Sequence, residues 1–170
     1  MFMNVRKSLL AASVCAAALL PFAQGAMAQE AVFVLNTSEV GAPTYNPIKA
    51  TMLKPALDSL ERIVAKLQKD EPDIAAKLGT AGALCVRLIR GSNSSVSNHS
   101  FGTAIDITLQ GELDPFADGT MQIGLIILAE HFNEEGWYWG GGYNREDGMH
   151  FEVGEETLQK WVDDGLLPSQ

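Results

Sequence analysis

The sequence predicts an α+β fold, a small antiparallel sheet with helices packed on one face. Three observations predict it. Leu53, Leu57, Leu60, Val64 and Leu67 recur at helical spacing. Thr103 to Leu109 alternates as a strand, with Ile105 and Ile107 on one face and Ala104, Asp106 and Thr108 on the other. Two short apolar stretches, Trp137-Tyr138-Trp139 and Met149 to Val153, flank a Gly140-Gly141-Gly142 turn. The resulting order is helix, strand, strand, helix, strand, strand, helix, and elements in that order pack as α+β.

In chain order, residues 1–28 read as a signal peptide. Arg6 and Lys7 precede an apolar run from Ser8 to Phe22, and Ala26-Met27-Ala28 offers the small residues a signal peptidase needs. An exported protein, periplasmic or extracellular, is therefore expected. Residues 29–50, with Gly41, Pro43 and Pro47, read as an extended arm. Residues 51–170 read as one domain. Thr51 is the expected cap of a helix running to about Lys69, with Pro55 tolerated in its first turn. A shorter helix is expected from Glu71 to Leu78, stopped by Gly79. Ala83 to Ile89 is the expected first strand, and Gly91 to Ser100 a loop. Thr120 to Glu134 reads as an apolar helix ending near Gly136. Glu155 to Asp164 reads as the last helix, closed by Gly165.

The leader holds two of the 12 basic residues and no acid, so residues 29–170 carry 10 basic and 21 acidic residues, a net charge of −11. That balance argues against nucleic acid and anionic lipid as partners and for a soluble protein. No stretch reaches the ~20 apolar residues of a membrane helix. Cys85 is the one cysteine beyond the leader, so no intramolecular disulfide is expected after processing, and Cys85 reads as a small buried side chain. Oligomeric state is not legible.

Two of the three histidines have carboxylates nearby: His99 with Asp106 seven residues on, and His150 with Asp147 three residues before. Asp106 lies in an otherwise apolar strand, beside the small Ala104. A carboxylate on a half-buried face is costly without a cation or several donors. Zinc held by two imidazoles and one carboxylate would satisfy it and leave a fourth position open. On spacing alone, a hydrogen-bonding loop histidine and an edge aspartate stand as alternatives. His131 reads as a partly exposed helix residue rather than a ligand.

SNHSFGTAID fits the pattern Ser-x-His-x-x-Gly-x-Ala-x-Asp, and WGGGYNREDGMHFE fits its second half, Trp-Gly-Gly followed by Asp/Glu-x-x-His. From about Ala83 to Val153 the chain thus resembles the D-alanyl-D-alanine carboxypeptidase family of zinc peptidases, which includes vancomycin-resistance D,D-peptidases and phage L-alanyl-D-glutamate endolysins. The resemblance implies a Hedgehog/D,D-peptidase-like fold and a Zn2+ cofactor held by His99, Asp106 and His150. It also implies peptidoglycan peptides as substrate and Asp147 as catalytic acid/base, a role that suits a carboxylate able to reach the water. Glu152 alternates with His150 on one strand face and reads as a group orienting an imidazole or the substrate, whereas Glu146 reads as solvated.

An arginine is expected to steady the oxyanion or a substrate carboxylate. The family carries its arginine after Gly-Tyr/Phe, whereas this chain has Cys-Val-Arg-Leu-Ile-Arg, so Arg87 leads with Arg90 close behind. Ser97 could bond substrate or loop backbone, and Trp139 and Tyr143 could wall the cleft. A D,D-carboxypeptidase and an L,D- or D,D-endopeptidase both fit, the short loop before His99 leaning toward an open, endopeptidase cleft. The competing functions are a non-catalytic, zinc-stabilised envelope-binding module on the same scaffold and a structural envelope protein without metal.

Overall fold

The computed structural model describes residues 28–33 and 48–168. The expected leader therefore lies, Ala28 excepted, outside the described residues. Strand β1 (Ala28–Phe33) pairs antiparallel with β2 (Ile48–Leu53), and the chain turns directly into helix α1 (Lys54–Asp70). After a single helical turn, α2 (Pro72–Ala75), come β3 (Leu78–Gly82) and β4 (Ala104–Leu109). Helix α3 (Ile123–Glu134), β5 (Trp137–Trp139), β6 (His150–Val153) and α4 (Glu155–Asp163) complete the fold. The main sheet has order β3-β4-β6-β5 and is antiparallel throughout. The α+β class is as expected.

Two elements differ from expectation. Thr51 caps no helix, because Ile48–Leu53 is a strand whose Ile48, Ala50 and Met52 alternate into the core; α1 begins after it, with Leu53 at its cap and Pro55 in its first turn. The first strand of the main sheet is Leu78–Gly82, not Ala83 to Ile89. The register shifts between Thr80 and Gly82, and the chain leaves the sheet there. Residues 83–89 then run past β2 and the His99 turn on single bonds, such as Leu84 N–H to Thr51 O and Cys85 N–H to His99 O, leaving Val86, Leu88 and Ile89 exposed. Cys85 is half-buried, and the expected leader with Cys15 lies outside the described residues.

Strand period separates the two sheet faces. Ile105, Ile107, Phe151, Val153 and Trp137 join the core with Leu60, Ile63 and Leu67 of α1 and Leu125, Leu128 and Phe132 of α3. Phe132 lies 4.2 Å from Phe151 and edge-on to Trp137 at 5.3 Å, centroid to centroid. Asp106 pairs with His150, and Ala104 with Glu152, on the opposite face. One face of the sheet thus makes the core and the other carries polar groups.

Candidate functional site

Three elements bring the polar groups together. Asp106 and His150 are cross-strand partners in β4 and β6. His99 comes from a 3-10 turn, Asn98–Phe101, closed by Gly102 at φ +68°. Only glycine suits that position, because a Cβ there would lie 2.7 Å from Leu53 N, whose N–H donates to Gly102 O. The turn is thereby tied to β2, and His99 is 2% exposed.

Each imidazole has its outward nitrogen occupied. His99 Nδ1–H donates to Ala83 O at 2.6 Å, and His150 Nε2–H donates to Glu152 Oε2 at 2.9 Å. The inward atoms form an equilateral triangle: His99 Nε2, His150 Nδ1 and Asp106 Oδ1 are each 3.2 Å apart. With neutral imidazoles, all three present lone pairs to one point. Tetrahedral zinc with arms of about 2.0 Å separates its ligand atoms by about 3.3 Å. The residues fit a zinc-sized cation, and among the described residues this trio is the only cluster of the kind.

Electrostatics agree. Burial works to raise the Asp106 pKa, but hydrogen bonds from His150 and His99 outweigh it and hold the carboxyl well below its ordinary value. Burial works to lower His150, and its bonds to Asp106 and Glu152 instead lift it to about 9. Without metal, a proton on His150 therefore occupies the place a cation would take. Glu152 accepts from His150, from Asn98 Nδ2 at 2.7 Å and from Tyr143 OH at 2.7 Å. Burial opposes its ionisation, but those bonds lower its pKa to about 2.

Asp147 sits on the turn before His150, with its backbone N–H on Gly140 O at 2.9 Å. Gly140 is required by close packing, since a Cβ there would lie 2.5 Å from Asp147 O. Asp147 Oδ1 is buried with no hydrogen-bond partner among the described residues. Its pKa is raised, first by burial and then by Asp106, against lowering by His150, Arg90 and Arg87. Both arginines therefore reach Asp147 electrostatically, Arg90 the more strongly.

The remaining expected residues fall around this centre. Ser97 is buried and caps the His99 turn with its backbone, its N–H on Arg87 O. Trp139 donates from Nε1 to Gly148 O at 2.7 Å and stacks over Phe151, so it braces the Asp147 turn. Glu146 is not simply solvated: its Oε1 accepts from Gly119 N–H at 2.7 Å, and its carbonyl from Ala117 N–H. His131 lies on α3, outside the cluster, and its buried Nδ1 has no partner among the described residues.

Sequence reasoning missed Asn98, Asp114 and Phe116. Asn98 adjoins His99 in the motif, which was the available signal. Asp114 is 1% exposed, accepts from Gln122 N–H at 2.8 Å, and packs its other oxygen against Gly148. Nothing local marks it, because its partners are contributed by the fold.

Residues 90–153 match the model of a family described as D-alanyl-D-alanine carboxypeptidase, and every ligand candidate, Asp147 and Glu152 fall within that span. No curated protein matches the chain at a significant level. The segment that builds this site is thus similar to the D-alanyl-D-alanine carboxypeptidase family.

Proposed function

We propose that the protein is an exported, zinc-dependent peptidase that hydrolyses amide bonds in peptidoglycan stem peptides, as a D,D-carboxypeptidase or an L,D- or D,D-endopeptidase. The observation that carries this reading is the triangle of three acceptor atoms, each 3.2 Å from the others, together with the half-buried Asp147, whose buried Oδ1 has no partner among the described residues. His99, Asp106 and His150 would hold the ion. Zinc bound there supplies a Lewis acid that acidifies a water and polarises the scissile carbonyl.

The chain's own groups do the rest. Asp147 Oδ1, unpartnered and raised in pKa, takes a proton from the attacking water and delivers it to the leaving amine. Arg87 and Arg90 place positive charge where the carbonyl oxygen becomes negative. Glu152, clamped by Asn98 and Tyr143, keeps His150 oriented with Nδ1 inward. Ser97 and Trp139 hold the two turns that present His99 and Asp147. Hydrolysis of purified muropeptides by the zinc-loaded protein, and its loss in Asp106→Ala, tests the proposal. Zinc-loaded protein that binds envelope peptides and cleaves none would be the non-catalytic module instead.

A further inference from the structure

Among the described residues, Asp114 is the most deeply buried acid, 1% exposed, and the proposed chemistry does not use it. One of its oxygens has an ordinary partner. Oδ1 accepts the Gln122 N–H at 2.8 Å, at the start of α3, where the helix dipole favours negative charge. The other oxygen does not: Oδ2 is buried with no hydrogen-bond partner among the described residues, an arrangement that lowers stability. What Oδ2 meets is Gly148, since a Cβ built there would lie 2.3 Å from Oδ2 and 3.0 Å from Asp114 Cγ.

Gly148 is central to the site. The His150 N–H donates to Asp147 O at 3.0 Å, so residues 147–150 form a tight turn with the proposed base at one end and a ligand histidine at the other. Gly148 is not among the glycines at positive φ, so the turn's backbone does not call for glycine there. Space does, because only a hydrogen fits between Gly148 Cα and the Asp114 carboxylate. Gly148 is thus held twice, through its carbonyl by the Trp139 indole at 2.7 Å and through its Cα by Asp114.

The loop that carries Asp114, between β4 and α3, is itself docked on this turn. Ala117 N–H donates to Glu146 O at 3.0 Å and Gly119 N–H to Glu146 Oε1 at 2.7 Å, on the residue before Asp147. Ala117 adopts φ +57°, a conformation an alanine takes only where its surroundings impose it. Phe116 takes the guanidinium groups of Arg90 and Arg145 on its ring, at 4.6 and 4.9 Å from the centroid. The loop therefore delivers Asp114 against the back of the turn.

We propose that Asp114 is a positioning residue for the acid/base step: wedged behind Gly148, it fixes the 147–150 turn and with it the bearing of the Asp147 carboxylate relative to His150. This rests on the peptidase reading and deepens it. A small error in where Asp147 points spares zinc and substrate binding and slows the chemical step alone.

The test measures kcat, KM and zinc content with a purified muropeptide panel, and the indole N–H resonance of Trp139 by NMR. Asp114→Ala should lose about 10–100-fold in kcat, with KM within about 2-fold and zinc content unchanged. Asp114→Asn, which keeps the shape and the bond to Gln122, should recover most of that loss. In Asp147→Asn protein, Asp114→Ala should cost no further kcat, because the two residues act through one group. Gly148→Ala should lower kcat in the parent and add nothing to Asp114→Ala, which clears the space. Unchanged kcat in Asp114→Ala, or the same fold loss with and without the Asp147 carboxylate, overturns the proposal. If Asp114→Ala fails to fold, Gly148→Ala alone carries the test, and unchanged kcat there overturns it. A wild-type protein that cleaves nothing sinks the peptidase reading instead, and the Trp139 resonance then shows whether Asp114 holds the turn. Asp114→Ala should shift that resonance and leave the Trp137 indole, bonded to Ser59, in place; an unmoved Trp139 signal overturns the proposal.

Discussion

Asp106 and His150 face each other across β4 and β6, with Oδ1 and Nδ1 3.2 Å apart and His99 Nε2 at the same distance from each. Acceptors so placed need a shared cation. Zinc at 100 times Kd should stabilise the protein by about 2.7 kcal/mol, raising Tm by roughly 5–10 °C for a domain of this size. Asp106→Ala should abolish that rise and most of the bound zinc. Calorimetry with and without zinc, with elemental analysis, checks both.

Glu152 is the brace of His150. Glu152→Gln substitutes a neutral amide for the carboxylate that accepts the Nε2 proton, and zinc affinity should fall about 10–100-fold. Tyr143→Phe removes one of its three donors and should cost less. Competition with a chromophoric chelator reads both.

The metal-free protein should have a pH-dependent stability with two limbs. His150 is raised to about 9, so its contribution is complete below about 6.5 and is lost as pH rises through 9. Glu152 is lowered to about 2, so its contribution is present above about 4.5 and is lost as pH falls through 2. Zinc should remove the alkaline limb, because the ion replaces the proton on His150. Denaturation midpoints between pH 5 and 9 test this; parallel curves with and without zinc would count against it.

Asp147→Asn should retain zinc and lose about 10²–10⁴ in kcat. The Arg90 charge lowers the Asp147 pKa, so Arg90→Gln should move the acid limb of kcat/KM to higher pH. Zinc content and a pH–rate profile decide it. An unshifted limb would separate Arg90 from Asp147.

Away from the site, Ser59 Oγ accepts the Trp137 indole N–H at 2.9 Å and donates to Glu135 Oε2 at 3.1 Å, tying α1 to β5 in the core. Ser59→Ala leaves the buried indole unpaired and should cost about 1–3 kcal/mol. Urea denaturation measures it, with zinc binding unchanged.

Periodic elements were legible and punctuated ones were not. The alternation at 103–109 placed Asp106 opposite the core, and its odd polarity pointed to a cation. Leu78 reads as the end of the shorter helix and Gly79 as its stop, because the two glycines of Leu78–Gly82 weaken strand propensity. Gly79 is there because a Cβ would meet Thr108 Oγ1 of the neighbouring strand at 2.5 Å, a tertiary reason invisible locally. Ile48–Leu53 did alternate, and its prolines upstream obscured it. Ala83 to Ile89 was apolar enough for a strand, yet it leaves the sheet at the Gly82 irregularity. The Arg90–Phe116–Arg145 cluster joins three separated segments, and no spacing could have announced it.

The central claim is metal-dependent hydrolysis of peptidoglycan stem peptides. Mass spectrometry of a muropeptide panel, before chelation, after it, and after zinc is restored, tests it most directly. The account predicts two fragments whose summed mass exceeds the parent by one water, absent after chelation and restored by zinc. An intact panel with the zinc-loaded protein, or cleavage indifferent to chelation, would contradict it.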